Sequence, residues 1–261
     1  MPFIESEGAR LYYRLEGRDD RPVLLLSNSL GTDVGMWAPQ LPGLMESHCV
    51  LLYDSRGHGA SEAPDGDYSV AQLGRDALAL ADALGVGRFA FCGLSLGGLV
   101  GQWLGLNAAE RLTALVLSNA SPYLPPPEAW AQRMALVREK GMAALVDPVM
   151  ERFFSEGYRR RDEPLFHSMR RTFLSTPAAG YAGCCAAVRD ADFRARLAEI
   201  RVPTLVIGGS DDAATPPAEH ARKLEAAIPG ARYAELPAGH IANVEAPADF
   251  LALLRGFLAQ P

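Results

Sequence analysis

The chain has 261 residues, a formal net charge of −6, 49% hydrophobic and 21% charged residues. This excludes disorder, because such a chain can bury enough apolar surface to offset its ordering entropy, and it suits one large domain or two small ones at roughly 150 residues each. No run reaches the roughly 18 apolar residues of a membrane span. The acidic start Met1-Pro-Phe-Ile-Glu-Ser-Glu lacks an apolar signal core, and the acidic balance argues against nucleic acid. The expectation is therefore a cytoplasmic protein with neither a membrane nor a nucleic-acid partner.

In chain order, Phe3 to Leu15 reads as an antiparallel hairpin turning at Gly8. The apolar runs Val23–Ser27, Cys49–Tyr53, Phe89–Cys92, Ala114–Leu117, Thr204–Ile207 and Tyr233–Leu236 read as strands buried on both faces of a parallel sheet. Between them, Val70, Leu73, Ala77, Leu80 and Leu84 form a helical stripe with Ser69 placed as its N-cap. Strand and helix in alternation mean an α/β fold with a mainly parallel sheet. The middle differs. Pro122-Tyr-Leu-Pro-Pro-Pro127 opens a stretch with no strand signal, and residues 128 to about 190 carry helical spacing. The expected division is a core of residues 1–120 and 191–261, with 121–190 as a helical lid inserted between two strands.

The sharpest chemical signal is Gly93-Leu94-Ser95-Leu96-Gly97-Gly98, between the run Phe89–Cys92 and the helical stretch Leu99–Asn107. This is G-x-S-x-G in strand-turn-helix context, where a serine on a strained turn needs small neighbours. The following helix aims its N-terminal N–H groups at developing negative charge. A serine hydroxyl needs a base. Of five histidines, His58 and His240 follow strands, and only His240 comes late enough for the chain order Ser, acid, His. His58 reads as a hydrogen-bonded loop histidine. His48 begins a strand, His167 sits among lid arginines, and His220 falls in an expected helix, Ala218 to Ile228, on its solvated face. The third group must orient the imidazole. Asp211 and Asp212 are both offered after a strand, and spacing alone does not choose between them. The four cysteines, Cys49, Cys92, Cys184 and Cys185, lack metal or disulfide spacing and are expected as buried free thiols.

Over nearly its whole length the chain resembles α/β-hydrolase-fold enzymes with a helical cap. The resemblance rests on Asp54-x-Arg56-Gly57-His58-Gly59-x-Ser61, the serine turn at Ser95, and the loop Gly209-Ser-Asp-Asp212-Ala-Ala-Thr215-Pro216. It implies a mostly parallel sheet with helices on both faces and a helical cap. It selects Asp212 as the acid of a Ser95–His240–Asp212 triad, with Asp211 as the fallback, and the N–H groups of Leu30 and Leu96 as oxyanion donors. The family's usual His-Gly after the first core strand is replaced here by Asn28-Ser29, while the spacing from Asn28 to Trp37 is kept. Asn28 and Ser29 either contact substrate or only brace the loop. Asn28-Ser-Leu-Gly31 with Gly93-Leu-Ser-Leu-Gly-Gly98 resembles the 3-oxoadipate enol-lactonases, which open a five-membered enol-lactone in bacterial aromatic catabolism.

That resemblance implies a small anionic lactone as substrate and neither metal nor organic cofactor. Residues 121–175 carry nine Arg/Lys against seven Asp/Glu, a net +2 within an acidic chain, which suits an anion. Trp130 and Arg133 share a helix face and offer an apolar wall with a carboxylate clamp, with Arg138 and Arg170 next in line. The competing reading packs Trp130 into the lid with Arg133 stacked upon it. Arg159-Arg160-Arg161 reads as a solvated surface run. Other cap-bearing serine hydrolases (carboxylesterase, perhydrolase, C–C bond hydrolase) and a non-catalytic ligand receptor are the rival readings.

Overall fold

The computed structural model describes residues 2–259. Eight strands form one sheet in the order β1-β2-β4-β3-β5-β6-β7-β8. The hairpin β1 (Phe3–Ser6) and β2 (Ala9–Glu16) turns at Glu7-Gly8, and β2 joins β4 antiparallel. All later pairings are parallel: β3 (Val23–Ser27), β4 (Cys49–Tyr53), β5 (Phe89–Leu94), β6 (Leu112–Ser118), β7 (Thr204–Gly209) and β8 (Arg232–Leu236). β4, β5 and β7 are buried at every position, which is why they read as unbroken apolar runs.

Short α1 (Leu41–Leu44) follows β3, and α2 (Val70–Ala83) follows β4. Ser69 caps α2 by accepting from the Gln72 N–H, and the stripe Val70, Leu73, Ala77 and Leu80 is buried. α3 (Leu96–Asn107) starts directly after Ser95, three residues earlier than the apolar pattern indicates. It packs on α2 and on β3, β5 and β6. After β7 come α9 (Ala221–Ala227), α10 (Ala242–Glu245) and α11 (Pro247–Leu258), which are named after the five helices of the middle segment. α1 packs on α11 through Gly43, where a methyl group would strike Leu251.

The middle segment runs between β6 and β7 as α4 (Pro127–Lys140), α5 (Val146–Phe153), α6 (Glu156–Arg160), α7 (Pro164–Ser175) and α8 (Ala178–Asp190). α4 and α8 pack side by side. The entering and leaving connections meet at an isolated bridge, Tyr123 with Asp192, and Phe193 N–H donates to the Pro122 carbonyl. All four cysteines are free and buried.

A buried ion pair ties the hairpin to the layer beneath it. Arg56 Nη2 lies 2.6 Å from Asp76 Oδ1, and the Ser6 hydroxyl donates to the same oxygen. Both charged side chains are 1% exposed, so losing either would strand a buried charge, at a cost of about 3–5 kcal/mol.

Candidate active site

Ser95 sits between β5 and α3 with φ +58° and ψ −109°, a left-handed strained backbone for a residue with a side chain. The turn is held by close backbone approach. A methyl group on Gly93 would stand 2.0 Å from the Gly97 carbonyl oxygen, and one on Gly97 2.2 Å from that of Ser27. No larger residue fits either place. The strain lifts Ser95 out of the sheet at the carboxyl ends of the strands, partly exposed at the floor of a cavity of about 390 Å³ that His240 also lines.

His240 follows β8, and its Nδ1 lies 2.9 Å from Asp212 Oδ2 and 3.1 Å from Oδ1. Asp212 comes from the loop after β7. Its Oδ1 accepts from the N–H groups of Ala214 and Thr215 (2.8 Å each), and its Oδ2 from the Thr215 hydroxyl (2.6 Å) and Asn119 Nδ2 (3.0 Å). Burial alone would raise this carboxyl. The His240 charge and these hydrogen bonds outweigh burial and hold it well below the usual carboxylate range. Asp211, its neighbour, is exposed. Successive loop residues point apart, and only Asp212 reaches the ring. A tilted Phe153 ring lies 5.1 Å from the His240 ring, so the middle segment touches the catalytic loop.

The backbone N–H groups of Leu30 and Leu96 have no acceptor among the described residues, and both residues line the cavity beside Ser95. Two unspent N–H donors flanking a serine have the arrangement of an oxyanion hole. The loop that carries Leu30 is braced from three sides. Asn28 Nδ2 donates to the Tyr53 carbonyl, Trp37 Nε1 donates to Asn28 Oδ1, and the Gly31 N–H donates to His58 Nε2 at 2.8 Å. Asn28 thus braces the loop, which explains why its nine-residue spacing to Trp37 is kept. Because His58 Nε2 accepts, its proton sits on Nδ1, facing the Arg56 carbonyl at 3.3 Å. Burial lowers the His58 pKa to about 4, so the ring stays a neutral acceptor. Asp54 braces the same layer by accepting from the Val34 and Ala60 N–H groups. Burial, against those two bonds, raises its pKa to about 6.

Ser29 is a correction to the substrate-contact reading. It is 2% exposed, its hydroxyl is buried without a partner, and it does not line the cavity. The neighbouring Leu30 takes the cavity-facing position, in a turn closed by the Thr32 N–H donating to the Ser29 carbonyl. Trp130 and Arg133 do line the cavity. The stacked geometry is present, with the guanidinium 5.0 Å over the Trp130 ring, and Arg133 Nη1 also donates to the Tyr181 hydroxyl at 3.3 Å.

The fallback arginines are elsewhere. Arg138 pairs with Asp67 and Arg170 with Asp147, both on the surface. The second cavity arginine is Arg152 of α5, whose Nη2 points at the Ala214 carbonyl at 3.5 Å. Close packing, and then the Arg133 charge, lower its affinity for its own proton. Neither Arg133 nor Arg152 has a carboxylate within ion-pair distance among the described residues. Sequence reading also misplaced His220. α9 begins only at Ala221, so His220 is its N-terminal flanking residue, half-buried, and it lines the cavity rather than a solvated face. His167 pairs with Asp162 on the surface, and Arg160 with Glu156.

A mostly parallel sheet, a serine on a strained strand–helix turn and a buried Asp–His pair at the strand ends define a hydrolase. The chain belongs to the alpha/beta hydrolase fold family, whose pattern matches residues 22–247. It is 37% identical to 3-oxoadipate enol-lactonase 2 of Acinetobacter baylyi, over 95% of this chain and 92% of that protein. Its structure is similar to that of the enol-lactonase from Burkholderia xenovorans LB400, with a TM-score of 0.97 and 43% identity over 99% of this chain and all of the other. It is also 34% identical to a protein of Variovorax paradoxus named as a carbamate hydrolase, RutD, over 96% of each chain. Among the described residues no helix is long and apolar enough to cross a membrane.

Proposed function

We propose that this hydrolase opens a small anionic lactone, the 3-oxoadipate enol-lactone, to 3-oxoadipate in aromatic catabolism. Ser95 Oγ attacks the ring carbonyl while His240 Nε2 takes its proton. Asp212 holds the imidazole through Nδ1 and stabilises its charged form. The carbonyl oxygen, now an oxyanion, is met by the Leu30 and Leu96 N–H groups. The ring C–O bond breaks, the enolate oxygen receives the proton from His240, and the enol settles as a ketone. Water, deprotonated by His240, then attacks the acyl-serine, and the Ser95 Oγ takes the proton back.

The observation that carries the substrate class is a pair of guanidiniums, Arg133 and Arg152, without a carboxylate at ion-pair distance among the described residues, in a cavity whose described lining has one carboxylate, Glu219. Two mutually repelling cations are stabilised by an anion placed between them. The enol-lactone supplies one, a free carboxylate beside a neutral ester. The volume of about 390 Å³ suits a ligand of that size. The likeness to enol-lactonases supports the same reading. The test is loss of the enol-lactone absorbance set against p-nitrophenyl acetate turnover. Equal or better catalysis on the neutral ester overturns the anionic-lactone assignment in favour of a general esterase. Carbamate hydrolysis is the second reading, supported by the likeness to RutD. It releases ammonia, which lactone opening does not, so an ammonia assay separates the two.

A further inference from the structure

His220 takes no part in the mechanism above, yet its ring lines the same cavity as Ser95, His240, Arg133 and Arg152. Its protonation pattern follows from its neighbours. The Ser121 hydroxyl has one hydrogen, which it donates to the Tyr123 carbonyl at 2.6 Å. The Tyr123 N–H donates back to Ser121 Oγ at 3.2 Å. The remaining contact, 2.7 Å between Ser121 Oγ and His220 Nδ1, therefore needs its proton on Nδ1. Nε2 has no partner among the described residues. A neutral His220 thus presents a bare lone pair, which opposes a carboxylate oxygen, and a protonated one presents an N–H that binds it.

We propose that His220 is a specificity residue that takes up a proton when an anionic group binds beside Arg133 and Arg152, so that the cavity acquires its third cation only with the ligand. The inference rests on the anionic-substrate reading and adds to it. Burial, the largest influence, disfavours the protonated form of the ring, Glu219 and Asp212 favour it, and Lys223 and His240 disfavour it. Arg133 and Arg152 face the cavity from the middle segment and add positive charge. These surroundings hold the ring toward its neutral form, and an anion beside it reverses the balance by its own charge and by accepting the Nε2–H. Nδ1 stays on Ser121 in both states, so the ring need not turn.

The test uses butane-1-sulfonate, an anion ionised at every working pH, so that only the protein titrates. Calorimetric titration near pH 7 in two buffers of different ionisation enthalpy counts the protons taken up on binding. The expected result is net uptake by the native protein, its loss in His220→Gln, and a dissociation constant for the native protein that tightens about ten-fold from pH 8 to pH 5.5, one such step being about 1.4 kcal/mol. His220→Gln should bind with an affinity nearly independent of pH. Ser121→Ala frees Nδ1, so a neutral ring can carry its proton on Nε2 and meet the anion, and this variant should bind with reduced uptake. Binding without uptake, or uptake that persists in His220→Gln and so belongs to His240, overturns the role of His220 and leaves the anionic cavity standing. No binding by the native protein at any pH overturns the anionic cavity and His220 with it.

Discussion

Two walls of one cavity are built on opposite principles. On the sheet side, Asp212 accepts from Ala214, Thr215 and Asn119 besides His240, and the Leu30 loop is tied to Tyr53, Trp37 and His58. The groups that position the reacting ones are spent on one another, the buried Ser29 hydroxyl aside. On the helical side, Arg133 and Arg152 have no carboxylate within ion-pair distance among the described residues. Groups that must hold a geometry are saturated by the protein, and groups that must recognise a ligand are left for the ligand. Saturation also explains how Asn28 can stand where the family resemblance leads one to expect histidine. The position asks for one donor and one acceptor, and an amide supplies both.

The contrast predicts effects of different kind on the two walls. The largest should come from Ser95→Ala, a loss of several powers of ten in kcat with the fold intact by circular dichroism, since only oxyanion-hole and binding effects remain. Near-native turnover would remove Ser95 from the mechanism.

Next is Asp212→Asn, at about 10⁴-fold in kcat by analogy with the acid of other triads. Asp211→Asn should change kcat only a few-fold, because the exposed carboxylate never reaches His240. Kinetics with one neutral ester on both variants decides between the two aspartates.

On the helical wall, Arg152→Met and Arg133→Met should each lower kcat/KM for the anionic lactone by roughly ten- to a hundred-fold, as expected for a charged hydrogen bond of about 1.5–3 kcal/mol. Hydrolysis of p-nitrophenyl acetate should barely move. A parallel fall on both substrates would reduce the arginines to struts of the helical segment.

The smallest effect concerns the braces, and its sign can be worked out. Unfolded, His58 returns to about 6.5, against about 4 when folded. Between these values the unfolded chain binds more protons, so this contribution is complete above about pH 6.5 and is lost as pH falls to about 4. Asp54 is opposite, at about 6 folded against 3.8 unfolded. Its contribution is present at low pH and is lost as pH rises through about 6. The two nearly cancel across pH 4–6. Asp54→Asn should unmask the His58 term, so the urea midpoint should rise with pH more steeply in this variant than in the native protein. An unchanged slope would mean that Asp54 does not titrate in this range.

Local chemistry determined much of this protein from its sequence. The buried strands announced themselves as continuous apolar runs, α2 by its stripe and Ser69 cap, and the serine turn by glycines that no larger residue can replace. These are properties of neighbours along the chain, where spacing translates directly into geometry. What needed the tertiary structure was every choice between residues equal in local terms. Asp212 differs from Asp211 only in which one meets a histidine 28 residues away. Arg152 differs from Arg138 and Arg170 only in where α5 comes to rest against the strand ends. His220 left its expected helix because that helix starts late, and Ser121, 99 residues earlier, holds its ring at the cavity. Such choices are made when distant segments pack, and residue type and spacing do not encode which partner will arrive.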